Sequence, residues 1–225
     1  MLSPVPVVAF FDLDRTVLSV NSARFWVREE FKAGRIGGLR LFKAMSSGLK
    51  YHFGGRIEEA LREAIASLKG EEEKELELRT QEFFRDQLAG RIRPQALKVL
   101  EDHRDRGHHR VLLTSATSYL ADIVVEELGF EGRLSTVLEV DQAGCLTGNP
   151  TEPLCYGEGK LTLGCDYLQK VGARLEESYF YTDSMSDWEM LAAVGNPVVV
   201  NPDIRLGRAA RREGWEIVDW GVPAS

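Results

Sequence analysis

The chain alternates short apolar runs with longer amphipathic stretches. VPVVAFFDLD near the start, RVLLTSAT (110–117), SYFYTDS (178–184) and NPVVVNP (196–202) are rich in β-branched and aromatic residues at consecutive positions, as strands buried on both faces are. Between them, PQALKVLEDHRDRG, YLADIVVEELG, KLTLGCDYLQKVG and DWEMLAAVG carry helical periodicity, and each closes on a glycine suited to a C-cap. The alternation predicts an α/β fold whose mostly parallel sheet has helices on both faces. Two segments break it. Residues 18–90 hold no convincing buried strand and read as helices, which predicts an inserted helical cap in a core made of 1–17 and 91–225. LSTVLEVDQAGCLTGNP (134–150) alternates around a DQAG turn and predicts a hairpin beside the core.

In such sheets the ligand site lies at the carboxyl ends of the strands. Asp12, Ser115 and Asp183 are each expected just past such an end. An aspartate with an ordinary pKa of about 3.9 is ionised at neutral pH and needs no base to act as a nucleophile, which fits Asp12. Asp14, on the same turn but pointing elsewhere, suits protonation of a leaving group and later deprotonation of water. DxDxT alone fits a solvated acidic turn equally well. Asp187, four residues after Asp183 and at a helix start, reads by itself as a cap or dipole partner.

Convergence of Asp12, Asp14 and Asp183 would change that balance. Two like charges about 4 Å apart cost roughly 4 kcal/mol at an effective dielectric near 20, so three carboxylates require a cation, and a hard, oxygen-seeking Mg²⁺ fits. Lys160 in YGEGKLTLG is ordinarily a solvated residue, but pointing into the crevice it would hold Asp12 and a phosphate together. Ser115 would give the phosphate a hydroxyl and a backbone N–H, with Thr114 competing for the hydroxyl role. GEGK is not a nucleotide P-loop, because Leu154 and Leu161 stand where that motif needs glycine and Ser or Thr.

Composition narrows the classes. With 225 residues and 44% hydrophobic content the chain can bury a substantial core. A net charge of −7 and a pI near 5.3 exclude nucleic-acid phosphate as a main partner. The N-terminal apolar run is too short to span a membrane and lacks a basic leader, so neither an integral membrane segment nor export is expected. Cys145, Cys155 and Cys165 show no CxxC spacing and read as reduced thiols, pointing to a cytoplasmic protein. His52, His103, His108 and His109 have no spacing that demands a metal and read as loop or surface residues.

FDLDRT, LLTSAT, Lys160 and YTDSMSD, in this order, resemble the four motifs of the haloacid dehalogenase superfamily. The insert after the first motif resembles the type-one cap of the phosphoserine-phosphatase-like branch (subfamily IB), and VVVNPDIRLGRAARREGWEIVDW is similar to that branch's tail. The resemblance implies a Rossmann-like three-layer core and a helical lid. It implies a Mg²⁺-dependent phosphomonoesterase in which Asp12 forms an aspartyl-phosphate and Asp14 is the acid/base. Asp12, Asp183 and the Asp14 carbonyl would hold the metal, with Asp187 a ligand or an anchor behind it, while Ser115 and Lys160 would hold the phosphate. A carboxylate at position 14 favours phosphate ester hydrolysis over dehalogenation or ion pumping. Transfer to an alcohol acceptor and a non-catalytic phospholigand-binding protein are the alternatives.

One departure bears on substrate. Asn21 stands where phosphoserine phosphatases have a cap glutamate, and the arginine that grips a substrate carboxylate would fall near Ala64, with Arg62 on another helix face. A substrate other than phosphoserine is therefore expected. Arg24 to Arg56 interleaves basic residues with Phe25, Trp26, Phe31, Phe42, Tyr51 and Phe53. This pattern fits either internal packing of the cap or a surface for a small or amphipathic phosphate ester.

Overall fold

The computed structural model describes residues 5–35 and 57–222. Its strands are β1 (Val8–Phe11), β2 (His109–Thr117), β3 (Gly132–Thr136), β4 (Leu138–Val140), β5 (Leu146–Pro150), β6 (Tyr179–Thr182), β7 (Asn196–Val200) and β8 (Glu216–Val218). The α-helices are α1 (Ser22–Lys32), α2 (Ile57–Ala66), α3 (Glu73–Phe83), α4 (Pro94–Asp105), α5 (Ser118–Leu128), α6 (Glu158–Val171), α7 (Trp188–Ala193) and α8 (Ile204–Glu213). Six strands form one parallel sheet in the order β3-β2-β1-β6-β7-β8, while β4 and β5 form a separate antiparallel hairpin. The chain moves from β1 outward to β3 and then returns to β6 on the other side of β1. The topological switch, where such sheets bind ligands, therefore lies between β1 and β6.

The period-two alternation of β1 splits its side chains between two cores. Ala9 and Phe11 join Leu112, Tyr181 and Val200 under α4 and α5, whereas Val8 and Phe10 join Val111, Phe180 and Val199 under α6, α7 and α8. Both faces are covered, as the apolar strands required, and the fold is the expected Rossmann-like α/β architecture.

Three expectations need correction. Leu134, Ser135 and Thr136 do not belong to the hairpin. They lie in β3, which pairs in parallel with β2 at the edge of the large sheet, so backbone pairing and not local alternation decides their place. Gly195 does not cap α7 in the left-handed region, as Gly129 and Gly172 do after α5 and α6. A Cβ at position 195 would stand 1.8 Å from the Glu176 carbonyl oxygen, so glycine is required there by close backbone approach. Ser115 is not past the end of its strand, because β2 runs on to Thr117, which pairs with Thr136 after a register shift.

His103 is also not a surface residue. It continues the buried face of α4 set by Ala96 and Leu100, and its ring meets Phe11, Tyr179 and Tyr181. Its Nε2 lies 2.9 Å from the Tyr181 hydroxyl and its Nδ1 2.8 Å from His108 Nδ1. Burial, with His108, Arg106 and Arg110 nearby, pushes its pKa down to about 4. His109 begins β2, and His52 lies outside the described residues. Because the folded state favours neutral His103, the unfolded chain binds its proton first as the pH falls below about 6.5. Stability is then lost between there and about pH 4, with a deficit of about 2 kcal/mol at pH 5. Denaturant midpoints at pH 7 and pH 5 should show this loss, and His103→Phe should reduce the pH dependence.

The segment between the first strand and α4 supplies α1, α2 and α3. A bridge between Leu18 and Ile92 joins its outgoing and returning ends. The loop from α2 to α3 is tied to the β4–β5 hairpin by main-chain bonds: Gly70 N–H to Leu146 O (2.9 Å), Leu146 N–H to Glu71 O (2.8 Å) and Glu73 N–H to Gly144 O (2.9 Å). Ile65 and Leu76 pack there with Leu138, Leu146 and Leu154. Phe25 and Trp26 pack inward, under the Arg91 and Arg79 guanidinium groups respectively, while Phe31 is exposed. For Phe25 and Trp26, packing prevails over a free surface, and Phe42, Tyr51 and Phe53 lie outside the described residues. Among the described residues, no helix is long and apolar enough to cross a membrane.

Candidate active site

β1 delivers Asp12 to the switch point. The Asp12 N–H donates to Tyr181 O at 2.9 Å, so pairing with β6 continues to the aspartate itself. The chain then turns through a wide loop, 13–17, closed by Leu18 N–H to Leu13 O (2.8 Å), with Arg15 in the left-handed region at φ +59°. This loop turns Asp14 away from Asp12, and the Asp14 carboxylate instead accepts from the Ser22 N–H (2.8 Å) and Asn21 Nδ2 (3.0 Å) at the start of α1.

Lys160 reaches Asp12 from the opposite side of the sequence. It lies in the first turn of α6 and is buried, a position that desolvation and the helix dipole both oppose for a cation. Two carboxylates compensate: its Nζ donates to Asp12 Oδ1 at 2.7 Å and to Asp187 Oδ2 at 2.9 Å. The glycines of GEGK permit this approach. A Cβ on Gly159 would lie 1.9 Å from the Leu154 carbonyl oxygen, and Gly157 holds φ at +54°.

Asp187 precedes α7 but does not cap it. Its side chain is buried and turned to Lys160 and to the Thr182 hydroxyl, which donates at 2.6 Å. The other oxygen, Oδ1, is buried without a hydrogen-bond partner among the described residues. Asp183 follows β6, and its N–H donates to Thr16 Oγ1 at 3.1 Å while the Thr16 hydroxyl lies 3.4 Å from Asp12 Oδ2. Thr16 thus links the ends of β1 and β6. Sequence reading gave Thr16 and Thr182 no part in the site, although the threonine of DxDxT was a visible signal, and it took Asn21 only as a departure bearing on substrate, not as a partner of Asp14.

Ser115 is half-buried in β2, and its carbonyl accepts from Thr136 at 2.9 Å. Since Leu112 is level with Phe11, Ser115 lies beyond the end of β1 on the carboxyl side of the sheet. The Thr114 hydroxyl is buried and accepts from the Ala116 N–H at 3.1 Å.

The electrostatics show too little positive charge. Burial, opposed by Lys160 and aided by Asp187, pushes Asp12 up to about 7. Burial with Asp12 beside it pushes Asp183 up to about 8, and burial raises Asp14 against its hydrogen bonds from Ser22. Burial works against the Lys160 ammonium, but Asp12 and Asp187 outweigh it and hold its pKa above the usual range. Among the described residues, Lys160 bonds Asp12 and Asp187, and Arg15 opposes the charge of Asp14 and Asp183 from farther off, so four carboxylates outnumber the cations near them. A divalent ion fits that deficit and the partnerless Asp187 Oδ1. Among the described residues, no three His, Cys, Asp or Glu side chains form a ready-made metal cluster. The fit is to an ion bound by few side chains and otherwise by water, as Mg²⁺ is.

The model of haloacid dehalogenase-like hydrolases matches residues 9–192, and the chain belongs to that family. Phosphoserine phosphatase SerB1 of Mycobacterium tuberculosis is 30% identical over 220 residues, covering 95% of this chain and 71% of its own length. Histidinol-phosphatase of Neisseria meningitidis serogroup C is 27% identical over 218 residues, covering 95% of this chain and 98% of its own. A protein of unknown function from Bordetella pertussis Tohama I has a crystal structure that matches with a TM-score of 0.86 at 28% identity, covering 96% of this chain and 100% of that one.

Proposed function

We propose that this protein is a Mg²⁺-dependent phosphomonoesterase working through an aspartyl-phosphate on Asp12. The observation that carries the reading is the pairing of Asp12 with buried Lys160 at the switch point, with Asp14 held apart on the next turn. Asp12 attacks phosphorus as the ester P–O bond breaks, and Asp14 gives its proton to the departing oxygen. Asp14 then takes a proton from the water that attacks the acyl phosphate, which releases inorganic phosphate and restores Asp12. Lys160 and Ser115 bind phosphate oxygens, and Asp187 fixes the Lys160 ammonium through Oδ2 and stands behind the metal with Oδ1. The Asp12 and Asp183 carboxylates and the Asp14 carbonyl are the proposed Mg²⁺ ligands; when bound, the ion supplies positive charge to the phosphoryl oxygens and keeps Asp12 ionised.

The proposed substrate is a small or amphipathic phosphate ester other than phosphoserine, taken up under a helical cap spanning 18–90 on a core of 1–17 and 91–225. Two features support this. Arg62, the residue nearest the expected carboxylate-gripping position, is paired with Glu58 and Glu152. Asn21 is turned to Asp14. The relatives carry names for two different substrates, which leaves the ester unassigned. Three unpaired cysteines are in keeping with a cytoplasmic protein.

A panel of amino-acid, sugar, nucleotide and lipid phosphates, read by phosphate release, tests the reading. Hydrolysis of at least one ester is expected with Mg²⁺. Chelation should remove it, and Mg²⁺ but not Ca²⁺ should restore it, since Ca²⁺ demands more and longer oxygen contacts. Binding of phosphate compounds without turnover of any would replace the enzyme with a phospholigand-binding protein.

A further inference from the structure

We propose that Asn21 is a positioning residue for Asp14, coupling the start of α1 to the proton-transfer group; this rests on the acid/base role given to Asp14 above. Asn21 uses both ends of its amide. Its Oδ1 accepts from the Arg24 N–H at 3.0 Å and caps α1, while its Nδ2 donates to Asp14 Oδ2 at 3.0 Å. The neighbouring Ser22 N–H holds the other Asp14 oxygen at 2.8 Å, so both oxygens of that carboxylate are fixed by one helix N-terminus.

A capping need alone does not account for the amide. Ser, Thr or Asp would accept from the third residue of the helix about as well. Asp has no N–H to give a carboxylate, and Ser or Thr would have to serve helix and carboxylate through one short hydroxyl, whereas asparagine carries a separate acceptor and donor. The loop bearing Asp14 is strapped to the same segment by Arg15 N–H to Val20 O at 3.0 Å. The left-handed turn at Arg15 thus aims Asp14 at α1, and α1 in turn sets where the Asp14 proton is delivered. Displacement of a catalytic group by about 1 Å costs up to ~10²-fold.

The test is the leaving-group dependence of kcat/KM, which reports the step in which the ester P–O bond breaks. Asn21→Gly, nearly as good at a helix N-cap, removes the donor. With an alkyl phosphate, whose departing oxygen needs a proton, kcat/KM should fall by about 10- to 10²-fold. With an activated aryl phosphate, which needs none, it should change less than about threefold. Asn21→Asp also caps α1 but sets a second carboxylate against Asp14, and should lose more on the alkyl ester. Asp14→Asn serves as the reference and should show the same contrast more strongly. An equal fall for both esters in Asn21→Gly, or no fall, overturns the proposal while the Asp14 reading stands. Absence of the contrast in Asp14→Asn overturns that reading and this proposal with it.

Discussion

Asp12→Asn gives a folded protein whose hydrolysis of an aryl phosphate is lower by on the order of 10⁴-fold or more. The amide has the shape of the carboxylate but no charge with which to attack phosphorus. The fold survives because the backbone of Asp12 still pairs with Tyr181, and Lys160 keeps Asp187. Removing one carboxylate from a site where Asp12 and Asp183 both have raised pKa values also relieves repulsion, so melting of the metal-free variant should be unchanged or higher. Phosphate release and thermal unfolding measured side by side check this. Undiminished turnover would remove Asp12 from the chemistry.

Lys160→Met has the second large effect, on both stability and rate. It leaves Asp12 and Asp187 buried without their common cation, and breaking a buried ion pair from one side costs about 3–5 kcal/mol. Asp12, whose pKa burial already raises, then favours the protonated form in the folded protein more strongly than before. A folded pKa raised above the unfolded value destabilises at high pH and ceases to do so as pH falls toward that unfolded value, so the deficit should be larger at pH 8 than at pH 5. Adding Asp187→Asn removes one orphaned charge and should recover part of the stability, as groups in direct contact are not additive. It should recover none of the phosphatase activity. Denaturant titrations of the single and double variants at the two pH values check each point, and a Lys160→Met protein as stable and active as the parent would contradict the site.

The residues that come together at the switch point were legible because each signal was local. An apolar run ending on Asp12, another ending before Asp183, and a lysine opening a helix after two glycines identify strand and helix ends whatever the rest of the chain does. The sheet followed from the same runs, apart from its edges. β8 has three residues and β3 begins Gly-Arg, so neither advertises itself by periodicity. What fixes the orientation of the site was hidden, because the bonds from Thr16 to Asp183, from Thr182 to Asp187 and from Asn21 to Asp14 depend on how loops fold back. His103 was misplaced for a different reason. It lies on the same helical stripe as Ala96 and Leu100, but a histidine on an apolar face carries no sequence mark of the tyrosine that satisfies it.

Rapid acid quench of the protein during turnover of a phosphate ester, followed by mass analysis of the peptide carrying Asp12, tests the central claim most directly. The account predicts one added phosphoryl group on Asp12, removed by hydroxylamine and absent from Asp12→Asn. Steady hydrolysis with that peptide unmodified, or with the phosphoryl group on another residue, would contradict it.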